Sequence, residues 1–176
     1  APAPLRSVRG RLAEPIGEAG EFTAVAFDLL RGREIGPPDW APALFEHWGQ
    51  LVGRLHRLVA ERRPTHARAQ WHQSDFLNIE RYIPDEEVSV KARARELVGR
   101  LRSQELGPYY GLIHGDVYQK NLRLLADDAL ELYDFDNCEY GWFVSDIAVA
   151  LYASLWRVER DQRPAFTTSF LRSFLM

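Results

Sequence analysis

Leu112-Ile113-His114-Gly115-Asp116-Val117-Tyr118-Gln119-Lys120-Asn121-Leu122, and shortly after it Leu132-Tyr133-Asp134-Phe135-Asp136, are the stretches on which the reading of this chain turns. The hydrophobic runs Leu122 to Leu125 and Leu130 to Tyr133 flank the turn-forming Ala126-Asp127-Asp128, a pattern that predicts two paired strands. A polar cluster, Asp116 to Asn121, precedes the first strand, and Asp134 to Asp136 follows the second. A hairpin of this kind gathers the carboxylates.

Phosphoryl transfer makes demands that such a cluster meets. A carboxylate must receive or orient the proton of the attacking hydroxyl, and oxygen ligands must hold Mg²⁺ against the phosphates of a nucleotide. Asp116, Asn121 and Asp134 carry suitable groups. Magnesium takes hard oxygen donors and keeps several waters, so a carboxylate and an amide oxygen from separate short segments suit it. The histidine and thiolate clusters expected for zinc are missing.

His-Gly-Asp, four residues, Asn, a strand pair and then Asp-Phe-Asp resembles the catalytic loop and metal-binding segment of aminoglycoside phosphotransferases, choline kinases and their relatives. The resemblance implies an α+β protein-kinase-like fold, here mainly its helical C-terminal lobe. By matched position, Asp116 would be the catalytic base, and Asn121 and Asp134 the metal ligands. It further implies Mg²⁺ as cofactor, ATP or GTP as cosubstrate and a small hydroxyl-bearing acceptor as the second partner. His-Gly-Asp alone is a weak signal; its spacing to Asn121 and to Asp-Phe-Asp is a strong one.

Outward from this core the matches keep the family's order. Ala26-Phe27-Asp28-Leu29-Leu30-Arg31-Gly32 resembles the hinge between the two kinase lobes, where backbone groups of Asp28, Leu29 and Leu30 would meet the adenine edge. Trp48 to His56 resembles a family helix ending in Leu-His. The stretch from Gly141 to Ala148 resembles the segment whose aspartate, here Asp146, braces the catalytic loop. His114 is expected to support the site structurally, and His56 to be a packing residue without chemistry. Asp136, where protein kinases carry glycine, is a candidate second metal contact. Trp71, His72 and Asp75 are candidates for acceptor contact, and Asp75, Asp136 and Glu139 would suit an amine-bearing acceptor. The aromatic group Tyr133, Phe135, Tyr140, Trp142 and Phe143 reads as core.

Periodicity supplies the elements between. Val8 to Ile16 is the one strand-like run of the first block, and Phe22 to Phe27 is a second β-prone run. Asp39 is placed to cap a helix that continues to Pro64, with Leu44, Phe45, Trp48, Leu51, Val52, Leu55, Leu58 and Val59 at helical spacing. Further helices are predicted over 85–106, within the stretch 144–156, apolar almost all round, beginning near Ser145 or Asp146, and over 164–175. The expected division is a remnant of a strand lobe plus hinge, 1–30, and a helical catalytic lobe, 31–176. No glycine-rich phosphate loop precedes Glu21, and the only lysines, Lys91 and Lys120, lie downstream of the hinge-like segment. The 176 residues alone are therefore expected to bind nucleotide poorly and to be inactive.

Composition sets the outer bounds. The chain is 46% hydrophobic and 12% aromatic, enough to bury a core. A net charge of −3 with scattered arginines points away from nucleic acid. One cysteine, Cys138, allows no internal disulfide, and no run approaches a membrane span, which makes a cytoplasmic location the default. Two rival readings stay open: a catalytically inactive kinase-like binding or regulatory module, and a Mg²⁺-dependent hydrolase, whose usual alternation of strands and helices this sequence lacks. Oligomeric state leaves no mark on the sequence.

Overall fold

The computed structural model describes residues 2–18, 20–61 and 68–176. It is an α+β structure built as four two-stranded antiparallel sheets among helices. Strand β1 (Pro4–Leu5) pairs with β4 (Ala26–Phe27), and β2 (Glu14–Ile16) with β3 (Phe22–Ala24). The expected strand over Val8 to Ile16 shrinks to β2. Its first half is a turn in which the Ser7 hydroxyl donates to Glu14 and accepts from the amides of Arg9 and Arg11. The run Phe22 to Phe27 likewise splits in two at Val25. Most side chains of these four strands are exposed.

After the strands the chain is stitched to the rest of the molecule at Arg33, which exchanges main-chain hydrogen bonds with Leu124 at 3.0 and 2.9 Å. Gly32 has φ of +80°, and a Cβ there would lie 2.5 Å from the Leu124 carbonyl oxygen, so only glycine passes this point. Helix α1 (Pro42–Glu61) follows. Asp39 does not cap it: its carboxylate accepts from both terminal nitrogens of Arg33 at 2.6 Å and from the Gly36 amide at 2.8 Å. The arginine holds the Asp39 carboxyl at a pKa of about 2. A bidentate charged partner out-competes the helix terminus for this carboxylate.

The core forms where α1 meets the hairpin that follows the His114 to Asn121 loop and the last helix. Leu44, Phe45, Trp48 and Val52 of α1 pack with Val117, with Leu122 and Leu124 of β6 (Leu122–Leu124), with Leu130 and Leu132 of β7 (Leu130–Leu132), and with Phe166 and Phe170 of the C-terminal helix. Between α1 and the His114 to Asn121 loop lie a short helix α2 (Ile79–Tyr82) and α3 (Val88–Arg102), shorter than the predicted 85–106. Lys91 of α3 is buried and donates to Asp85 at 2.5 Å, with Glu80 at 3.4 Å.

Strand β5 (Tyr110–Ile113) runs into the His114 to Asn121 loop and pairs with β8 (Glu139–Trp142), Ile113 opposite Glu139. Helix α4 (Phe143–Leu155) starts directly from β8. It is not buried all round as its composition suggests: Val144 and Tyr152 face solvent, while Asp146, Ala150 and Ser154 are enclosed. Helix α5 (Arg163–Phe174) returns along α1. Among the described residues no helix is long and apolar enough to cross a membrane.

Candidate active site

The loop from His114 to Asn121 is shaped by hydrogen bonds more than by regular structure. Gly115 has φ of +79°, and a Cβ on it would sit 2.6 Å from the Asn137 carbonyl oxygen. The turn therefore needs glycine between His114 and Asp116. Asp146, fully buried, aims its carboxylate at this turn. Its Oδ1 accepts from the Gly115 amide at 2.8 Å, and its Oδ2 accepts from the His114 amide at 3.0 Å and from His56 Nε2 at 2.9 Å. The expected brace thus has a second support that sequence reasoning did not assign. His56, stacked on Phe143 at 4.2 Å, donates from α1 across the core to the same carboxylate.

His114 is buried and tied on both ring nitrogens. Nε2 donates to the Tyr133 carbonyl at 2.9 Å, and Nδ1 accepts from the Asp116 amide at 3.3 Å. That pairing specifies the neutral tautomer with hydrogen on Nε2. With both nitrogens engaged, this ring orients the loop.

Asp116 and Asn121 meet directly. Asn121 Nδ2 donates to Asp116 Oδ2 and to its main-chain oxygen, each at 2.9 Å. Among the described residues nothing donates to the other Asp116 oxygen, and Asn121 Oδ1 is likewise without a donor. Asn121 lies in a single 3₁₀ turn, Gln119–Asn121, that delivers the chain into β6. Tyr133 fastens this turn to the segment beyond β7: its amide donates to Asn121 O at 3.1 Å and its hydroxyl to Lys120 O. Lys120 itself points to solvent.

Asp134, the next residue, has φ of +63°. This left-handed conformation is costly for a non-glycine residue and marks a position set by its surroundings. Its exposed carboxylate receives no hydrogen bond or ion pair from the described residues, and the same is true of Asp136. Both line a cleft of about 870 Å³ shared with Phe27, Asp28, Leu29, Leu30 and Gly32 on one wall, and with Arg68, Arg123, Tyr133 and Phe135. The hinge-like residues therefore face the Asp134 segment across open space. No main-chain partner among the described residues takes up the backbone groups of Asp28, Leu29 or Leu30.

The cations of the cleft are arginines. Arg123 is engaged, paired with Glu34 at 3.1 Å and lying over the Tyr133 ring at 5.5 Å. Arg68 reaches the Asp136 carbonyl at 3.5 Å. Asp116 does not line this cleft; its link to it runs through Asn121 and Tyr133. Trp71, His72 and Asp75 also stand apart from it. Trp71 packs on Trp142 and His72, and Asp75 is taken up by Arg81 and the Tyr82 hydroxyl. Glu139, half-buried at the start of β8, has its carboxyl pKa pushed up by burial and then by the charge of Asp146. Burial likewise raises the Cys138 thiol.

The donor set suits a hard divalent cation. An amide oxygen and a carboxylate, both free of protein donors, sit on segments joined by a main-chain hydrogen bond, with a second free carboxylate at Asp136. Among the described residues no group of three histidine, cysteine, aspartate or glutamate side chains is arranged to hold a metal. Any ion here would accordingly draw most of its shell from ligand phosphates and water.

Comparisons with known proteins give a consistent picture. Residues 3–175 match the phosphotransferase enzyme family. The amicoumacin kinase of Bacillus subtilis (strain 168) is 31% identical over 183 residues, covering 98% of this chain and 53% of that protein. The chain thus spans about half the length of that relative. A solved structure of amicoumacin kinase hAmiN in complex with AMP-PNP, Ca²⁺ and Ami superposes with a TM-score of 0.91 at 27% identity, over 99% of this chain and 55% of the other. An aminoglycoside phosphotransferase from Alicyclobacillus acidocaldarius shares the fold at 16% identity and a TM-score of 0.61, over 98% of this chain and 58% of its own.

Proposed function

Because this chain belongs to the phosphotransferase enzyme family, we propose that it forms the catalytic part of an ATP-dependent kinase that moves the γ-phosphate onto a hydroxyl of an amine-bearing small molecule of the amicoumacin kind. The observation that carries the reading is the Asp116–Asn121–Asp134 arrangement. The Asn121 amide bonds the Asp116 carboxylate while its own oxygen stays free of protein donors, and the equally free carboxylate of Asp134, on the segment that Tyr133 fastens to Asn121, lines a cleft of about 870 Å³.

In this reading Asp116 uses its two oxygens differently. Oδ2 is held by Asn121, which leaves the other oxygen to accept the proton of the acceptor hydroxyl. The brace from Asp146 and the ring of His114 hold the main chain from which Asp116 projects, so the loop itself would need little reorganisation at the moment of transfer. Asn121 Oδ1 and Asp134 would hold Mg²⁺, with Asp136 as a second contact. When bound, the cation would screen the phosphates from one another and from the incoming oxygen. The unpaired backbone of Asp28 to Leu30 would take the adenine edge. The neighbour solved with AMP-PNP and Ca²⁺ supports a nucleotide with a divalent cation.

The test is a phosphate-transfer screen of the protein at its natural length, with Mg²⁺ and ATP or GTP, against amicoumacin, aminoglycosides, amino-alcohols and sugars. Transfer to an amine-bearing hydroxyl compound is expected. Asp116→Asn should cut kcat by about 10²–10⁴-fold while moving the KM for ATP far less. Absence of transfer to every acceptor, or wild-type turnover in Asp116→Asn, overturns the reading.

A further inference from the structure

The first half of the catalytic loop hangs on Asp146, near the N-terminus of α4. The second half, the turn Gln119–Asn121, has a separate attachment beyond the other end of the same helix. Gln119 is only 8% exposed. With its amide oxygen facing the guanidinium, it accepts from Arg157 Nε at 3.1 Å and from Nη2 at 2.7 Å. Arg157 follows the last turn of α4 and is anchored there by its own amide, which donates to Ser154 O at 2.9 Å. Its guanidinium lies over the Trp40 ring at 6.0 Å, and Trp40 packs against Phe45 at the head of α1.

We propose that Arg157, acting through Gln119, is a positioning residue that sets the Asn121 amide for the divalent cation; the proposal rests on the phosphotransferase reading above. The reasoning is geometric. The turn that carries Asn121 has one residue between Gln119 and the amide, so a displacement of Gln119 passes directly to it. Two N–H groups on one carbonyl oxygen fix that side chain in direction as well as distance. The aromatic ring beneath holds the guanidinium plane in turn. Asp146 lies in the first turn of α4 and Arg157 two residues past its end, so the two attachments are separated by most of the helix, roughly 14 Å from Asp146 to Leu155 at 1.5 Å per residue. Helix α4 thus works as a splint, gripping the loop at both ends.

Groups that orient the ligands of a metal change its affinity by about 10–100-fold when removed. Titration of Mn²⁺ into the nucleotide-bound, natural-length protein, followed by the electron paramagnetic resonance of free Mn²⁺, reads this directly and without turnover. Arg157→Ala and Gln119→Met are each expected to weaken Mn²⁺ about tenfold or more, and the double variant no further than either alone. Gln119→Glu, which keeps oxygen acceptors opposite Arg157, should bind Mn²⁺ as the wild type does. Gln119→Met matches the glutamine in size and leaves the exposed Arg157 free to turn to water, so it reports even where Arg157→Ala fails to fold. Unchanged Mn²⁺ binding in Gln119→Met, or losses that add in the double variant, overturns the proposal. Asp134→Ala separates the two levels of the argument. If it binds Mn²⁺ as well as the wild type, the metal site itself is misassigned and the proposal falls with it. Loss in Asp134→Ala with no loss in Gln119→Met overturns the tether alone.

Discussion

At the scale of residues, the His114 to Asn121 loop is held by one buried carboxylate, Asp146, and one buried amide, Gln119, whose partners include residues from remote parts of the chain. Asp146 accepts three hydrogen bonds, two of them from the main chain of the His114 to Asn121 loop. Asp146→Ala would leave those three donors buried and unpaired, a loss of roughly 3–5 kcal/mol in stability. Chemical denaturation should show this, with activity lost in parallel. Asp116, Asn121 and Asp134 stood out in the sequence because they flank a recognisable hairpin; the structure bonds the first two directly and ties the segment of the third to Asn121 through Tyr133. His56 was not, because its partner lies 90 residues away and a histidine on an apolar helix face looks like packing. Gln119 and Arg157 escaped for the same reason: a contact between a loop amide and a helix end leaves no periodic trace.

At the scale of elements, the packing of α5 on α1 turns on two glycines one helical turn apart. A Cβ at Gly49 would lie 2.2 Å from the Phe170 carbonyl oxygen and 2.3 Å from Ser173 Oγ, and one at Gly53 would lie 2.5 Å from the Phe174 carbonyl oxygen. Gly49→Ala should therefore cost about 1–3 kcal/mol by forcing the helices apart. Gly99→Ala, in α3 with nothing near its Cβ, should instead add about 0.5–1 kcal/mol. Melting curves of the two variants moving in opposite directions would bear this out; two shifts of the same sign would refute it. Helices α1 and α5 were legible from apolar spacing, which survives in a partly buried helix, and α4 from a run apolar almost all round, which overstated its burial. The β5–β8 ladder was not: Glu139-Tyr140-Gly141-Trp142 lacks alternation, and its partner Tyr110–Ile113 is distant in sequence with no turn to announce the pairing. The Asp39 cap failed because an arginine six residues upstream is a stronger partner than a helix end.

For the whole molecule, stability should depend on pH through two carboxyls displaced in opposite senses. Asp39 has its pKa lowered to about 2, so the stability it contributes is present above its ordinary value of 3.8 and fades as pH falls toward 2. Glu139 is raised above 4.5, so its contribution is complete below that value and is lost as pH rises through its folded pKa. Glu139→Gln should consequently melt higher than the wild type at pH 7 and no differently at pH 4; equal shifts at both values would refute the assignment. The reciprocal bonds between Arg33 and Leu124 have a mechanical consequence. Downstream of that rivet the polypeptide is tied to β6, and upstream of Asp28 to the small strand pairs, so any rotation of one part against the other would have to be absorbed within 28–32. A nucleotide base docked on those residues would rest on the fulcrum itself, where a few degrees of swing displace it least.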